Sequence, residues 1–152
     1  MSDMIRGITN NRAAYHEYFV EDKFEAGIEL FGTEVKSLRG GRVNIKDSFC
    51  RSDDGELVSY GIHISPYEKG NIFNRDPYRA RKLLMHRREI DRLFGAVGQK
   101  GYSLIPLSMY FKGRWVKVEI GLCKGKKLYD KRDVEAEKTA KREIERASKG
   151  NY

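Results

Sequence analysis

Strict alternation of apolar and polar residues in two separate stretches most constrains the fold of this chain. The stretch KFEAGIEL, residues 23–30, places apolar side chains at every second position and two glutamates between them. The stretch VKVEIGL, residues 116–122, repeats the pattern with Lys117 and Glu119 at polar positions. Successive side chains of a β-strand point to opposite faces of a sheet, so both stretches predict strands with one face on a core and a charged face outside.

Turn residues between β-prone runs extend this prediction to a whole fold. Gly55 after Asp54 suits a tight hairpin turn, and a second hairpin turns near Gly113. The stretch GTEVKSLRGG predicts a short helix with Thr33 as its N-cap, and residues 76–101 predict the main helical region. Several strands at hairpin spacing with only two helical segments predict a mainly β fold, a small antiparallel β-barrel with peripheral helices.

The two ends of the chain lack this patterning. Residues 1–17 are polar and predict an N-terminal arm. Residues 126–152 contain nine Lys or Arg and six Asp or Glu but few bulky apolar side chains. Such a segment cannot bury enough apolar surface to offset the loss of backbone entropy on ordering. We therefore expect one domain over residues 1–125 and a disordered basic tail over residues 126–152, which becomes helical only against a partner.

The charge balance favours a polyanionic partner. Lys and Arg number 30 against 22 Asp and Glu, for a net charge of +8, which is typical of nucleic-acid binding and also of basic ribosome-associated or membrane-surface proteins. No stretch approaches the roughly 20 apolar residues of a membrane-spanning helix, and no signal-peptide pattern is present. We expect a cytoplasmic monomer without a membrane partner. Cys50 and Cys123 lie in strand-like segments and predict buried, reduced thiols.

Motifs for catalysis or metal binding are missing from the sequence. His16, His63 and His86 are far apart and do not have the spacing of metal ligands. The run GLCKGKKL, which begins at Gly121, is one residue short of a phosphate-binding loop and lacks the Ser or Thr that follows its lysine. We therefore expect no metal, no cofactor and no catalytic residue, although spacing alone leaves open a hydrolase built from distant side chains.

Basic clusters and aromatic residues together indicate RNA binding, because cations hold phosphates while aromatic rings accept stacked bases. The basic residues around the Leu83-Leu84 pair predict a cationic helix surface, for which an ordinary solvated helix face is the alternative. They are Arg79, Arg81, Lys82, His86, Arg87 and Arg88. The candidates for base stacking, each of which is also a candidate for the core, are Tyr18, Phe49, Tyr110 and Trp115.

A series of longer motifs carries a family resemblance. In order along the chain, from about Asn11 to Arg132, these are HEYFVEDKFEAGIELFGTEVKSLRGG, DSF, HISPYEKGN, DPYRARKLL and GLCKGKKLYDKR. The series resembles that of the SmpB family, the SsrA-binding proteins of bacteria. The resemblance implies an OB-like β-barrel and a non-enzymatic adaptor that binds the tRNA-like domain of transfer-messenger RNA (tmRNA). It also implies delivery of tmRNA, with the elongation factor that carries aminoacyl-tmRNA, to stalled ribosomes for trans-translation.

The same resemblance implies two sets of site residues. The residues expected to contact tmRNA are Asn11, Arg12, Glu25, Leu84 and Lys117. For Leu84 the sequence leaves open a core position or an apolar contact with an unstacked base. The residues expected at the decoding centre of the small ribosomal subunit are Lys124, Lys126, Lys127, Tyr129, Asp130, Lys131 and Arg132. Beyond Arg132 the tail is expected to follow the empty messenger channel.

Two other functions remain open from the sequence. The basic surface and the scattered acidic residues are compatible with an RNA-processing nuclease on an OB-like barrel. The charge alone is compatible with a general RNA chaperone, which would bind unrelated RNAs as tightly as a tRNA-like one.

Overall fold

The computed structural model describes residues 4–67, 74–98 and 101–126, and strands account for most of the ordered elements in these ranges. The strands are β1 (Ile5–Asn10), β2 (Tyr18–Ile28), β3 (Val43–Asn44), β4 (Phe49–Asp53), β5 (Glu56–Tyr60), β6 (His63–Ile64), β7 (Arg81–Leu84), β8 (Tyr102–Lys112) and β9 (Trp115–Gly125). The helices are α1 (Arg12–Glu17), α2 (Gly32–Arg39) and α3 (Arg87–Val97). The prediction of a mainly β fold with few helices is confirmed.

The strands form one large antiparallel sheet and a separate pair. The large sheet has the order β1-β8-β4-β5-β7-β2-β9, and β3 pairs with β6. Strand β8 also pairs with β9 along nearly its whole length, so the succession of hydrogen-bonded neighbours returns from β9 to β8. The outer faces of β7, β2, β9 and β8 therefore lie side by side, and this adjacency positions the candidate site.

The core lies on the inner face of this sheet, as the alternation predicts. Ala26 of β2 pairs with Val118 of β9, and both are buried with Ile120. The intervening Glu25 and Lys117 lie on the outer face, because each is one residue away from a buried neighbour. Residues 23–28 and 116–122 thus occupy the strands and faces that their sequence predicts, while residues 29 and 30 lie beyond the end of β2.

Both predicted hairpin turns are present. Asp54 and Gly55 join β4 to β5 with φ angles of 51° and 79°, and Gly113 follows β8 with a φ angle of 60°. Positive φ is strained for most side chains but costs glycine nothing, and Asp is among the residues that tolerate it best.

Within the predicted N-terminal arm, residues 5–17 contain a strand and a helix that the sequence did not predict. Ile5–Asn10 pairs with the second half of β8, and Asn11 caps the N-terminus of α1 by accepting a hydrogen bond from the Ala14 amide. Polar composition alone did not reveal these elements, since β1 depends on a partner strand about 100 residues further along the chain.

The predicted N-cap of the second helix is also wrong. Helix α2 begins at Gly32 with Phe31 as N-cap, which leaves Thr33 inside the first turn. The Phe31 amide donates a hydrogen bond of 2.8 Å to the Glu34 carboxylate. A side chain of the helix itself thus pairs with the backbone N–H at the helix start. A glutamate three residues after the cap was the informative signal.

The predicted main helical region over residues 76–101 is wrong in its first half. Residues 81–84 form strand β7, which bridges β5 and β2, and α3 covers Arg87–Val97. Arg81 points inward with 0% exposure and pairs with Glu34, so it does not belong to a cationic surface. In α3, Ile90 and Leu93 enter the core as the predicted helical spacing requires.

Cys50 and Cys123 are buried free thiols, as predicted, and burial raises the pKa of Cys123 to about 12. None of the helices in the described residues is long and apolar enough to cross a bilayer. Within the same residues, no group of three or more His, Cys, Asp or Glu side chains is arranged to hold a metal ion.

Candidate nucleic-acid interface

Cross-strand register brings distant predicted residues into one row on the outer face of the sheet. Gly27 of β2 lies opposite Leu84 of β7 on one side and opposite Lys117 of β9 on the other. Lys117 in turn lies opposite Tyr110 of β8. Facing residues of antiparallel strands have Cβ atoms about 5 Å apart, so these side chains are immediate neighbours.

This row crosses a groove, which we call the sheet groove and define by Glu25, Gly27, Leu84, Trp115 and Lys117. Two adjoining cavities, each of about 500 Å³, share Gly27, Leu84 and Lys117. One cavity ends at Trp115, and the other ends at Glu25. A Cβ atom at Gly27 would lie 3.4 Å from Leu84 Cβ, so the missing side chain lets Leu84 pack closely against the floor of the groove.

At the end near Trp115, the sheet groove is lined by apolar and cationic side chains. Leu84 is 47% exposed and Trp115 is 60% exposed, which answers the question left open by the sequence: Leu84 is not a core residue. The Arg114 guanidinium lies 5.1 Å from the centre of the Trp115 ring. An exposed indole flanked by cations is suited to stacking with a nucleobase while a nearby lysine or arginine contacts phosphate.

The second end is built around the Glu25 carboxylate. The Tyr110 hydroxyl donates a hydrogen bond to Glu25 Oε2, and Lys112 Nζ lies 3.3 Å from Oε1. The Tyr110 hydrogen bond lowers the pKa of Glu25, and this effect, with help from Lys112 and Lys117, outweighs the opposing effect of partial burial. Glu25 is therefore an ionised hydrogen-bond acceptor at neutral pH.

The structure does not bring Asn11 into the sheet groove. Asn11 is 3% exposed, and its side-chain amide donates to the carbonyl oxygens of Pro106 and Ile45 at 3.0 and 3.3 Å. The side-chain amide of Asn11 thus hydrogen-bonds within the protein itself. Arg12 follows it at the exposed start of α1. Asn11 lines a different cavity, beside Asp47 and Tyr102.

The four aromatic candidates divide between surface and interior. Trp115 and Tyr110 lie on the outer face around the sheet groove. Phe49 is exposed on β4 and stacks on Tyr60 with ring centres 5.5 Å apart, away from the groove. Tyr18 is partly buried and packs against the small cluster that contains Ala14.

The residues at the end of β9 lie against the body of the protein. Lys124 Nζ lies 5.6 Å from the centre of the Tyr102 ring. Lys126 Nζ donates to the Tyr15 carbonyl oxygen at 3.0 Å and lies 5.1 Å from the centre of the Phe19 ring. The remaining residues predicted for the decoding centre lie outside the described residues: Lys127, Tyr129, Asp130, Lys131 and Arg132.

Sequence reasoning missed the partners of Glu25. Tyr110 and Lys112 are on β8, and β9 lies between β8 and β2 in the sheet. Only the three-strand register brings them within hydrogen-bonding distance. The signal that was available is period two, which puts Tyr110 and Lys112 on one face of their strand.

The antiparallel sheet and a groove of cations, exposed apolar side chains and a carboxylate define a small basic β protein with the surface chemistry of an RNA-binding module. A family model described as SmpB protein matches residues 8–150. The chain therefore belongs to the SmpB family. It is 59% identical over 145 residues to the SsrA-binding protein of Carboxydothermus hydrogenoformans, covering 95% of this chain and 97% of that protein.

Other comparisons agree with this assignment. The SsrA-binding protein of Caldicellulosiruptor bescii is 60% identical over 145 residues, which cover 95% of this chain and 92% of that protein. A chain in the solved structure described as "tmRNA-SmpB: a journey to the center of the bacterial ribosome" is 52% identical. It matches with a TM-score of 0.67 over 78% of this chain and 83% of that one.

Proposed function

We propose that this protein is a non-enzymatic adaptor that binds the tRNA-like domain of tmRNA through the sheet groove and delivers it to stalled ribosomes for trans-translation. The observation that carries the proposal is the register of β7, β2 and β9. It gathers Leu84, Glu25 and Lys117, three of the residues expected to contact tmRNA, from three distant parts of the chain into one groove. The names of the similar proteins support the RNA partner.

The chemistry of the sheet groove fits a folded RNA with unstacked bases. Trp115 and Leu84 offer apolar surface to a base, Lys117 and Arg114 offer positive charge to phosphates, and Glu25 accepts hydrogen bonds. Sequence-specific recognition of RNA mostly uses splayed bases in loops, for which stacking surfaces and hydrogen-bond acceptors must lie together. They do so here.

The remaining parts of the proposal concern the tail and the other partners. In it, the protein acts as a cytoplasmic monomer with an OB-like barrel, together with the elongation factor that carries aminoacyl-tmRNA. Residues 126–152 enter the decoding centre and messenger channel of the small ribosomal subunit. The positions of Lys124 and Lys126 against Tyr102 and Tyr15 support a tail that starts from a fixed point on the body.

Titration of the protein with the tRNA-like domain of tmRNA tests the role of the groove. Trp115 is the sole tryptophan of the chain, so quenching of its fluorescence reports occupancy of the groove directly. We expect Lys117→Ala to weaken binding and to lower the salt slope of log K by roughly 0.7 to 0.9, the value for one lost phosphate contact. Lys46→Ala, at an exposed position outside the groove, serves as the matched control.

Three outcomes are decisive. An unchanged affinity and slope for Lys117→Ala would remove Lys117 from the site. Equal affinity for an unrelated hairpin of the same length would favour a general RNA chaperone. Cleavage of labelled structured RNA in the presence of a divalent metal, with turnover, would favour the nuclease.

A further inference from the structure

One exposed aromatic residue outside the sheet groove is flanked by two cations. Phe31, at the start of α2, is 42% exposed. The guanidinium carbon of Arg75 lies 3.9 Å from the centre of its ring, and that of Arg79 lies 4.7 Å from it. Both distances are those of cation–π contacts. We call Phe31, Arg75 and Arg79 the Phe31 patch.

The two arginines of the Phe31 patch differ in how many of their donors the protein uses. Arg79 Nη2 donates to Glu34 Oε1 at 2.6 Å and to the Glu29 carbonyl oxygen at 3.3 Å, so Arg79 is anchored within the fold. Arg75 is exposed and has no hydrogen bond or ion pair within residues 4–67, 74–98 and 101–126. A guanidinium that is held by stacking on a ring keeps all five N–H donors for a ligand.

The backbone around Arg75 is held on both sides. The Asn74 side chain accepts a hydrogen bond from the Tyr67 amide at 2.8 Å and donates to the Tyr67 carbonyl oxygen at 2.7 Å. Further along, the Pro77 carbonyl oxygen accepts from the Ile64 amide at 3.0 Å. A fixed backbone and a stacking partner orient the Arg75 guanidinium before a ligand arrives, which lowers the entropic cost of binding.

The Phe31 patch carries positive charge that the neighbouring carboxylates do not balance. Glu34 pairs with both Arg79 and Arg81, at 2.6 and 2.7 Å, so two positive charges share one negative charge. Asp76 follows Arg75 in sequence, but its carboxylate accepts from the backbone amide two residues further on. An oriented guanidinium with free donors and unbalanced positive charge around it is suited to a phosphate group, which it can bind through two parallel hydrogen bonds.

The Phe31 patch adjoins the end of the sheet groove near Trp115. Leu30 and Val35 line the cavity that ends at Trp115. Phe31 follows Leu30 directly, so their Cα atoms are about 3.8 Å apart. An RNA strand that leaves the sheet groove on this side therefore passes close to the guanidinium of Arg75.

We propose that Arg75, oriented by Phe31, binds a backbone phosphate of the RNA just beyond the Trp115 end of the sheet groove. This inference rests on the proposed function and adds a phosphate site outside the groove. Phe31 is a positioning residue, because it acts on the RNA through Arg75. Arg79, which Glu34 holds, packs against the same ring.

Titration with the tRNA-like domain of tmRNA at several salt concentrations tests the phosphate contact. Arg75→Ala should weaken binding about 10-fold, as for a lost hydrogen bond between charged groups. It should also lower the salt slope of log K by roughly 0.7 to 0.9. Arg75→Lys keeps the charge and should keep the wild-type slope, but it should weaken binding about 2-fold because an ammonium group lacks the planar fork. Lys46→Ala, at an exposed position away from the patch, is the matched control.

Phe31→Leu tests the positioning role, because leucine is apolar but offers no ring to the guanidinium. It should weaken binding about 3-fold in the wild-type background and cause less than about 2-fold further loss in Arg75→Ala, as expected when one residue acts through the other. An equal loss in both backgrounds would mean that Phe31 contacts the RNA by itself, which overturns the positioning role. Urea midpoints should stay near the wild-type value, since Phe31 and Arg75 are both exposed.

The outcomes separate this inference from the proposed function. Selective binding by the wild-type protein with unchanged affinity and slope in Arg75→Ala overturns the phosphate contact and favours an acidic protein segment as the occupant of the Phe31 patch. An equal loss in Lys46→Ala would show an effect of net charge alone and overturns the contact as well. Failure of the wild-type protein to prefer the tRNA-like domain over an unrelated hairpin overturns the proposed function itself.

Discussion

Two glutamates, Glu34 in the interior and Glu25 in the sheet groove, have similar chemistry and opposite surroundings. Both carboxylates accept hydrogen bonds from their neighbours, and both have pKa values below the ordinary value. The Glu34 side chain is 4% exposed, whereas that of Glu25 is 38% exposed. The two carboxylates differ in whether other groups of the protein supply all of their hydrogen-bond donors.

Glu34 is saturated from within the fold. One oxygen accepts from the Phe31 amide at 2.8 Å and from Arg79 at 2.6 Å, and the other accepts from Arg81 Nε at 2.7 Å. Burial alone would raise the pKa of Glu34, but these donors outweigh it. Glu25 has the same charge with fewer internal donors. The comparison teaches that a saturated carboxylate stabilises the fold, while an unsaturated one is available to a ligand.

The largest expected effect is on stability at the saturated site. Glu34→Ala leaves the fully buried Arg81 without its ion-pair partner, and breaking a buried pair from one side costs about 3–5 kcal/mol. Urea unfolding followed by circular dichroism measures the loss. Glu25→Ala is the control and should cost less than about 1 kcal/mol, as expected of exposed pairs. Equal losses of unfolding free energy in the two variants would contradict the proposed difference between the two glutamates.

The next effect is on RNA affinity at the unsaturated site. Trp115→Ala should weaken binding of the tRNA-like domain by about 1–3 kcal/mol, the usual range for a lost base–aromatic stack. Because Trp115 is largely exposed, its loss should leave the urea midpoint nearly unchanged. Electrophoretic mobility shift gives the affinity. Trp115→Phe keeps a ring and should retain most of it; an affinity equal to that of Trp115→Ala would argue against stacking.

A smaller effect is expected from acidification. The folded-state pKa of Glu34 lies below the ordinary value of 4.5, so the stability that Glu34 contributes is present above pH 4.5 and is lost as pH falls through the folded pKa. In Glu34→Gln this contribution is missing. Its free energy of unfolding should therefore fall less steeply than that of the wild type below pH 4.5. Parallel curves would show that Glu34 is not held ionised by its partners.

The smallest expected effect on RNA affinity comes from removing the tail. Truncation of residues 126–152 leaves every residue of the sheet groove in place, so binding of the tRNA-like domain should stay within about 2-fold, a change of under ~0.5 kcal/mol. Peptide tagging on stalled ribosomes should be abolished in the same variant. A large loss of affinity would mean that the groove does not suffice for RNA binding.

Local patterns predicted the elements that each depend on one strand or turn. Period two identified β2 and β9 and the faces of Glu25 and Lys117, and the Asp54-Gly55 pair identified a hairpin turn. These features are encoded within a few residues, and the structure confirms them. The expectation that Leu84 lies in the core or at the surface was left open because both readings fit a short apolar run.

The features that the sequence did not predict share one physical cause: each depends on contacts with residues that are distant in sequence. Arg81 lies in a short basic-apolar run that fits a helix or a strand, and Glu34, 47 residues away, accounts for its burial. Tyr110 meets Glu25 across an intervening strand, 85 residues away in sequence. Asn11 owes its buried role to carbonyl groups of two other segments. Sequence spacing does not report such long-range contacts.

Strand β9 runs from the sheet groove toward the contact between Lys126 and Tyr15, and its length fixes the distance between these two places. Lys117 in the sheet groove and Lys126 beside Tyr15 are nine residues apart on one extended segment, a span of about 30 Å. Deleting two residues of β9 would keep every side chain on its own face but shorten this span by about 7 Å. The length of one strand thus sets the distance between the sheet groove and the point at which residues 126–152 begin.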